Sequence, residues 1–312
     1  MKDFSSQIKN NLKKPPMNFL KKLLLFSSIL LFINSALAQS IDVTLSTNPL
    51  LELGTNTQLL RLKGNVKEMQ EHKFETDAQG HTTNDSASVS NVYKFDLNGL
   101  TKEIEETLRN QQSKKNFFSY TNKGFTSHID IETTLFSKKK DTTTTDTINI
   151  NITEKDPLFS SVDYKYVQKK NILFKGEDFI EGTPKKTTAR KEYFYHFNDY
   201  NQIFQIDYQT SDLVVKYNYD ANGLIRESLT LKSGMPFSKN IYKYDRNNRL
   251  INITTINSDN NTKHPNQETV ISYKLDSNGN AIEKKVKKYL YSPEGIKSFN
   301  EGYLYLYNYT YL

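Results

Sequence analysis

The sequence predicts an all-β protein: antiparallel β-hairpin repeats forming a long, twisted or curled meander sheet. Three observations carry this. A skeleton of aromatic, any, aromatic, Asp, any, Asn, Gly, apolar recurs along the chain. The residues before each copy alternate aromatic and polar with a period of two. No amphipathic helical pattern follows residue 40. The chain is polar, with 36% hydrophobic residues and a mean hydropathy of −0.69, yet 20 Tyr and 18 Phe supply enough large side chains for a packed interior.

The first element is a leader. Lys21 and Lys22 precede an apolar run from Leu23 to Ile33, and Ala36-Leu37-Ala38 forms a small-residue cleavage site. Residues 1–38 are therefore expected to be a polar preface plus a secretory signal peptide, cleaved after Ala38; Met17 is an alternative start to Met1. The apolar run is too short to span a bilayer comfortably. Six Lys and one Asp in this segment account for +5 of the formal +7, leaving +2 for the exported part. The overall basicity thus does not point to nucleic acid. The absence of Cys rules out a lipid-modified cysteine and any disulfide, so stability must come from burial and strand pairing. Residues 39–61 read as a lead-in, and 62–312 as the repeat domain.

The clearest copies of the repeat are Tyr93-Lys-Phe95-Asp96-Leu-Asn98-Gly99-Leu100 and Tyr217-Asn-Tyr219-Asp220-Ala-Asn222-Gly223-Leu224. In Tyr242-Lys-Tyr244-Asp245-Arg-Asn247-Asn248, Asn replaces Gly, and Tyr273-Lys-Leu275-Asp276-Ser-Asn278-Gly279 changes one aromatic. Weaker copies close at Asp77…Gly80, Thr121…Gly124, Asn198…Asn201 and Ser292-Pro293-Glu294-Gly295. Asp, Asn, Ser or Thr at the first position caps the turn with its own side chain, and Gly or Asn at the fourth accepts positive φ. Pro293 at the second position is what a type I turn prefers. A type I turn followed by a left-handed residue is a common hairpin connection.

Between Phe118 and Tyr195 the spacing lengthens. Ile129 and Ile131 on one segment, with Ile148, Ile150 and Ile152 on another, read as a hairpin whose low-complexity tip is residues 137–147. The chain ends with Tyr303, Tyr305, Tyr307, Tyr309 and Tyr311 on one face, either a paired strand of the sheet or an exposed stripe for a ligand or partner.

With Tyr219-Asp220…Gly223-Leu224, Tyr244-Asp245…Leu250 and Phe95-Asp96…Gly99-Leu100 in view, the chain resembles the YD-repeat (RHS-like) family of bacterial secreted and surface proteins over about residues 62–312. It is far shorter than members that build a cocoon-like shell and carries no recognisable toxin domain, so it is more similar to the short exported members. The resemblance implies β-sheet architecture and the cell exterior, with carbohydrate binding as one function suggested for such repeats.

No chemistry stands out among the residues. None of the five His has metal-ligand spacing. His128 and Asp130 share a face of one strand, and two such residues are more often polar groups facing solvent than a catalytic pair. Ser137 and Lys140 match S-x-x-K only formally, without a helix to bring them together. The Asp-x-Asn-Gly turns place Gly at four, not at six as a calcium loop requires, and turn capping suffices to explain them. An outer-membrane barrel is disfavoured because either face of "AIEKKVKKYLY" would bring Lys to lipid. The Tyr and Phe are expected to form the sheet's internal packing face rather than a sugar-stacking surface. The expectation is a non-catalytic exported binding or scaffold module at the bacterial envelope, with no cofactor and no metal. Its expected partner is an envelope protein or polysaccharide, with no nucleic acid and no membrane span after cleavage. The alternatives are a glycan-binding module using an exposed Tyr/Phe face, and an envelope hydrolase.

Overall fold

The structure, a computed structural model, describes residues 49–53, 60, 62–109, 111–140, 150–154, 157–182, 184–258 and 264–312. The leader, its cleavage site and the hairpin tip from 141 to 147 lie outside these residues. A short 3-10 turn, Pro49–Glu52, precedes the strands. They are β1 (Val66–Thr76), β2 (Val89–Phe95), β3 (Thr101–Leu108), β4 (Gln112–Tyr120), β5 (Thr126–Lys140), β6 (Ile150–Glu154), β7 (Leu158–Lys169), β8 (Ile172–Glu181) and β9 (Lys186–Phe197), followed by β10 (Ile203–Tyr208), β11 (Leu213–Tyr219), β12 (Ile225–Lys232), β13 (Met235–Tyr244), β14 (Leu250–Asn257), β15 (Gln267–Leu275), β16 (Ala281–Tyr291) and β17 (Lys297–Tyr311).

Every pairing is antiparallel, and sequence neighbours pair in order, as hairpin repeats dictate. One expectation is corrected: the sheet is not an open or curled meander. β17 pairs with β16 on one side and with β1 on the other, from Val66↔Tyr311 to Thr76↔Gly302, closing a barrel of 16 strands. The physical reason is the edge. An open meander leaves two rows of unpaired backbone groups, and closure removes both. β6 stands apart from the ring and pairs with the distal part of β5, while the proximal part of β5 pairs with β7. Residues 137–140, expected in the mobile tip, continue β5 instead.

All eight motif turns have the expected geometry. The fourth residue has positive φ at Gly80, Gly99, Gly124, Asn201, Gly223, Asn248, Gly279 and Gly295. At Asp220 the turn is closed by Gly223 N donating to Asp220 O (3.0 Å), and Asp220 Oδ1 accepts from Asn222 N (2.8 Å) and Leu224 N (2.9 Å). The same set recurs at Asp96, Asp245 and Asp276. Because strands alternate in direction, six of these turns share one rim of the barrel, and 77–80 and 292–295 lie at the other. Gly223 has a second constraint: a Cβ there would lie 3.0 Å from Gln202 Nε2, besides the strain of φ +77°.

Alternation turns the motif aromatics inward. Tyr195, Ile203, Ile206 and Ile225 are 0% exposed, and Tyr217, Tyr242, Leu250, Ile271 and Val286 share their core. Each fully buried Ile contributes about 1.5–3 kcal/mol. Leu53 joins this core, and Leu60 joins a second one with Met69, Phe95 and Tyr307, so the residues around the 3-10 turn pack against the inner wall. Thr126 N donates to Leu53 O (2.9 Å), which places that segment at the rim carrying the six turns.

Candidate functional site

The five C-terminal tyrosines sit on the inner face of β17, at the seam where the barrel closes. Their rings follow one another at 6.4, 6.5, 6.5 and 6.3 Å between centroids. Of the two readings, β17 is a strand paired on both edges. Its opposite face carries Leu304 and Leu306, set against Phe74 and His72 of β1.

The tyrosines also hold charge inside the wall. Lys284 Nζ lies 3.9 Å from the Tyr305 ring centroid, and Lys73 Nζ lies 3.9 Å from that of Tyr303. Lys284 is only 1% exposed, so a ring face here replaces part of its lost hydration. Tyr303 is hydrogen-bonded to Glu301, and burial together with that carboxylate pushes its phenol up to about 12. At the end of the stripe Asn280 ties the seam together. Its Oδ1 accepts from Lys63 N (2.6 Å), and its Nδ2 donates to Lys63 O (2.9 Å) and to Tyr311 OH (2.8 Å). Tyr311 OH donates in turn to Asp276 Oδ2 (2.8 Å).

A second device was not anticipated. Six tyrosines, one on each of six strands, donate their phenol to a backbone carbonyl of the preceding ring strand. The pairs are Tyr120 to Thr101 (2.6 Å), Tyr166 to Thr126 (2.7 Å), Tyr219 to Ile203 (2.6 Å), Tyr244 to Ile225 (3.0 Å), Tyr273 to Leu250 (2.9 Å) and Tyr309 to Ala281 (2.7 Å). In every case the acceptor is the fifth residue after the first residue of a motif turn. The aromatic of the motif therefore does two things: its ring fills the inner wall and its hydroxyl latches the neighbouring hairpin. Where Leu275 replaces that tyrosine, Tyr273, two residues back on the same face, takes over.

Chemistry on the outer wall resolves into ion pairs. Ser119, His128 and Asp163 stand opposite one another on β4, β5 and β7, the residue types of a nucleophilic triad. His128 Nδ1 meets Asp163 Oδ1 at 2.6 Å and Nε2 meets Asp130 Oδ1 at 2.9 Å. Both ring nitrogens face carboxylates, so neither is available as a base toward Ser119. Burial pulls the imidazole down, but the hydrogen bonds and charges of the two carboxylates outweigh it and raise His128 above 6.5. Protonated His128 therefore favours the fold. That contribution is complete below 6.5 and is lost as pH rises through the raised value. The wild type should exceed His128→Gln in thermal midpoint at about pH 5.5 and lose that advantage by about pH 8.5. A pH-independent difference would refute the assignment. The expected size is a few tenths to about 1 kcal/mol, since the pair is partly solvated.

Among the described residues no group of three or more His, Cys, Asp or Glu could hold a metal ion. A groove of about 580 Å³ lies on the rim, between the turns 198–201 and 220–223. It is lined by Tyr200, Gln202, Phe204, Asp220 and Asn222, among others. Tyr200 and Phe204 are 63% and 40% exposed.

No protein-family model matches the chain, and no curated protein matches its sequence. Solved structures with some likeness include a porin-like protein from Bacteroides uniformis (8% identity, 80% of this chain and 99% of that one, TM-score 0.34). A porin-like protein from Bacteroides vulgatus follows (11% identity, 79% and 98%, TM-score 0.27). The Photorhabdus luminescens Tc holotoxin pore covers 72% of this chain and 15% of its own, at 11% identity and a TM-score of 0.20. Likenesses this remote assign no activity, and the closed ring rests on the strand pairing described above.

Proposed function

We propose that this chain is a short exported YD-repeat (RHS-like) protein whose barrel stands in water and serves as a non-catalytic binding or scaffold module in the bacterial envelope. The observation that carries this reading is the outer wall. Around the ring it presents Lys94–Glu103 (2.9 Å), His196–Asp207 (2.8 Å), Lys239–Glu227 (3.0 Å) and Lys274–Glu283 (2.8 Å). On β16 the outward residues are Glu283, Lys285 and Lys287. A lipid-facing wall needs an apolar band about 25 Å tall, and a Lys or Arg at its middle costs about 2–4 kcal/mol. The inner wall is in keeping with the non-catalytic half of the reading: Lys284 and Lys73 lie against tyrosine rings, Asn280 is bonded to Lys63 and Tyr311, and six tyrosines are spent on backbone carbonyls.

Detergent phase separation tests the first half. The mature chain is expected in the aqueous phase, and recovery in the detergent phase would overturn the reading. Co-sedimentation with isolated bacterial envelopes tests the second half, where the mature chain is expected in the pellet.

A further inference from the structure

We propose that the inner wall at Glu71, Asn91 and Glu106 binds the ammonium group of a small organic amine. This site stands apart from the envelope-binding reading and does not depend on it.

The first argument is an unmet charge. Glu71 is 4% exposed, yet its Oε2 has no hydrogen-bond partner among the described residues. Its other oxygen accepts from Asn91 Nδ2 (2.9 Å). A buried carboxylate oxygen is costly to leave bare, and such groups are normally paired with a cation or fully hydrogen-bonded. Strand pairing fixes the position. Glu71 lies opposite Tyr307 of β17 on one side and opposite Asn91 of β2 on the other, beside the seam of the barrel. Asn91 in turn lies opposite Glu106 of β3. Three strands therefore bring two carboxylates and an amide into one row across the inner face. Tyr93, two residues along from Asn91 on the same face, feels both ends of the row. Burial, then the charges of Glu71 and Glu106, push its phenol up.

The second argument is the chemistry of the row. An ammonium group carries three N–H donors and no acceptor. The row offers acceptors: Glu71 Oε2, Asn91 Oδ1 and the carboxylate of Glu106. The amide nitrogen of Asn91 is the atom spent on Glu71. Glu71 and Glu106 form no ion pair among the described residues, although Lys114 faces Glu106 from β4. The barrel already shows how it holds its own ammonium groups. Lys73 and Lys284 each lie 3.9 Å from a ring centroid of the tyrosine stripe, at Tyr303 and Tyr305. Glu71 stands further along the same stripe, opposite Tyr307. Burial, Asp276, Tyr311 and Glu71 together raise the Tyr309 phenol, so the carboxylate acts on that ring too. A carboxylate beside aromatic rings is a setting that favours an organic cation. A divalent metal ion fits less well, since no group of three or more acidic or His side chains gathers among the described residues. An anion would meet two carboxylates. Glu71 is the buried end of the row, and Asn91 and Glu106 are half-buried, so the row opens toward β3.

The experiment is calorimetric titration of the mature chain with methylammonium, putrescine and spermidine. Tetramethylammonium and potassium chloride are the comparisons, because they carry charge without N–H donors. At least one primary amine is expected to bind, and Glu71→Gln should weaken it about tenfold or more, a loss of about 1.4 kcal/mol. Glu105→Gln, next to Glu106 but on the opposite face of β3, should leave binding unchanged. The thermal midpoint of each variant checks that the barrel stays folded. Saturating amine should raise that midpoint in the wild type and not in Glu71→Gln. Should Glu71→Gln not fold, Glu106→Gln, at a half-buried position, takes its place and should also weaken the amine. Three results would each overturn the proposal: no binding of any primary amine, equally tight binding of tetramethylammonium or potassium, or undiminished binding by the folded variant. If amine binding fails while the chain still co-sediments with envelopes, the site falls and the binding-module reading stands. If co-sedimentation fails while the amine binds, the reverse holds.

Discussion

Truncating the chain after residue 296, which removes β17, is expected to abolish the cooperative thermal transition. β17 is the strand that joins the last hairpin to the first, with ladders to β16 and β1. Without it two edges are unpaired and open to pairing between molecules. The inner wall also loses the rings that cover Lys284 and Lys73. Tyr307 alone is 5% exposed, and removing one buried aromatic side chain of that size costs about 3–5 kcal/mol. That is a large share of the roughly 5–15 kcal/mol that holds a domain folded. Tyrosine near-UV circular dichroism on heating and size-exclusion chromatography are the measurements. The truncated chain should give no sharp transition and should associate. A monomer with the wild-type midpoint would show that the ring does not depend on closure.

Asn280→Ala is the second large effect. Asn280 is 3% exposed and spans 217 positions in sequence to hold Lys63, while also meeting Tyr311. Truncation to Ala leaves the Lys63 N–H and C=O without that partner at a partly buried site and removes one contact of the Tyr311 hydroxyl. Lys63 is itself exposed, so water can reach its freed backbone groups, and the expected loss is about 1–2 kcal/mol. Urea unfolding should show a lower midpoint with an unchanged slope, because the same surface is exposed on unfolding. Tyr311→Phe, which keeps the ring and removes only the hydroxyl, should cost about 1 kcal/mol. If both variants match the wild type, Asn280 is not the clasp of the seam.

Much of the architecture was legible in the chain because it is local. Four residues suffice to specify a turn, and the eight motif turns were each readable from an Asx, Ser or Thr, a Gly or Asn, and the alternation around them. The inward face was readable for the same reason: Tyr217 and Tyr219 alternate with Lys216 and Asn218, and one side of a strand must be buried. Less legible were features that join residues far apart. The tyrosine latch is not legible in the pattern, which marks the motif's aromatic as packing surface and says nothing of its hydroxyl. The acceptor is a carbonyl of the preceding ring strand, which no pattern within one hairpin names. Asn280 follows a turn like any other and carries no signal of its contact with Lys63.

The sequence by itself determined the unit: a tight Asx turn, an aromatic inner face, a polar outer face, and the order in which hairpins pair. Each follows from interactions within a few residues or from the period of two. Whether those hairpins form an open sheet or a ring was decided by tertiary structure alone. The outcome depends on β17 meeting β1, a pairing of the last strand with the first that relieves two unpaired edges at once. Closure also settled where the tyrosines of β17 lie, since the inside of a ring exists only once the ring is closed.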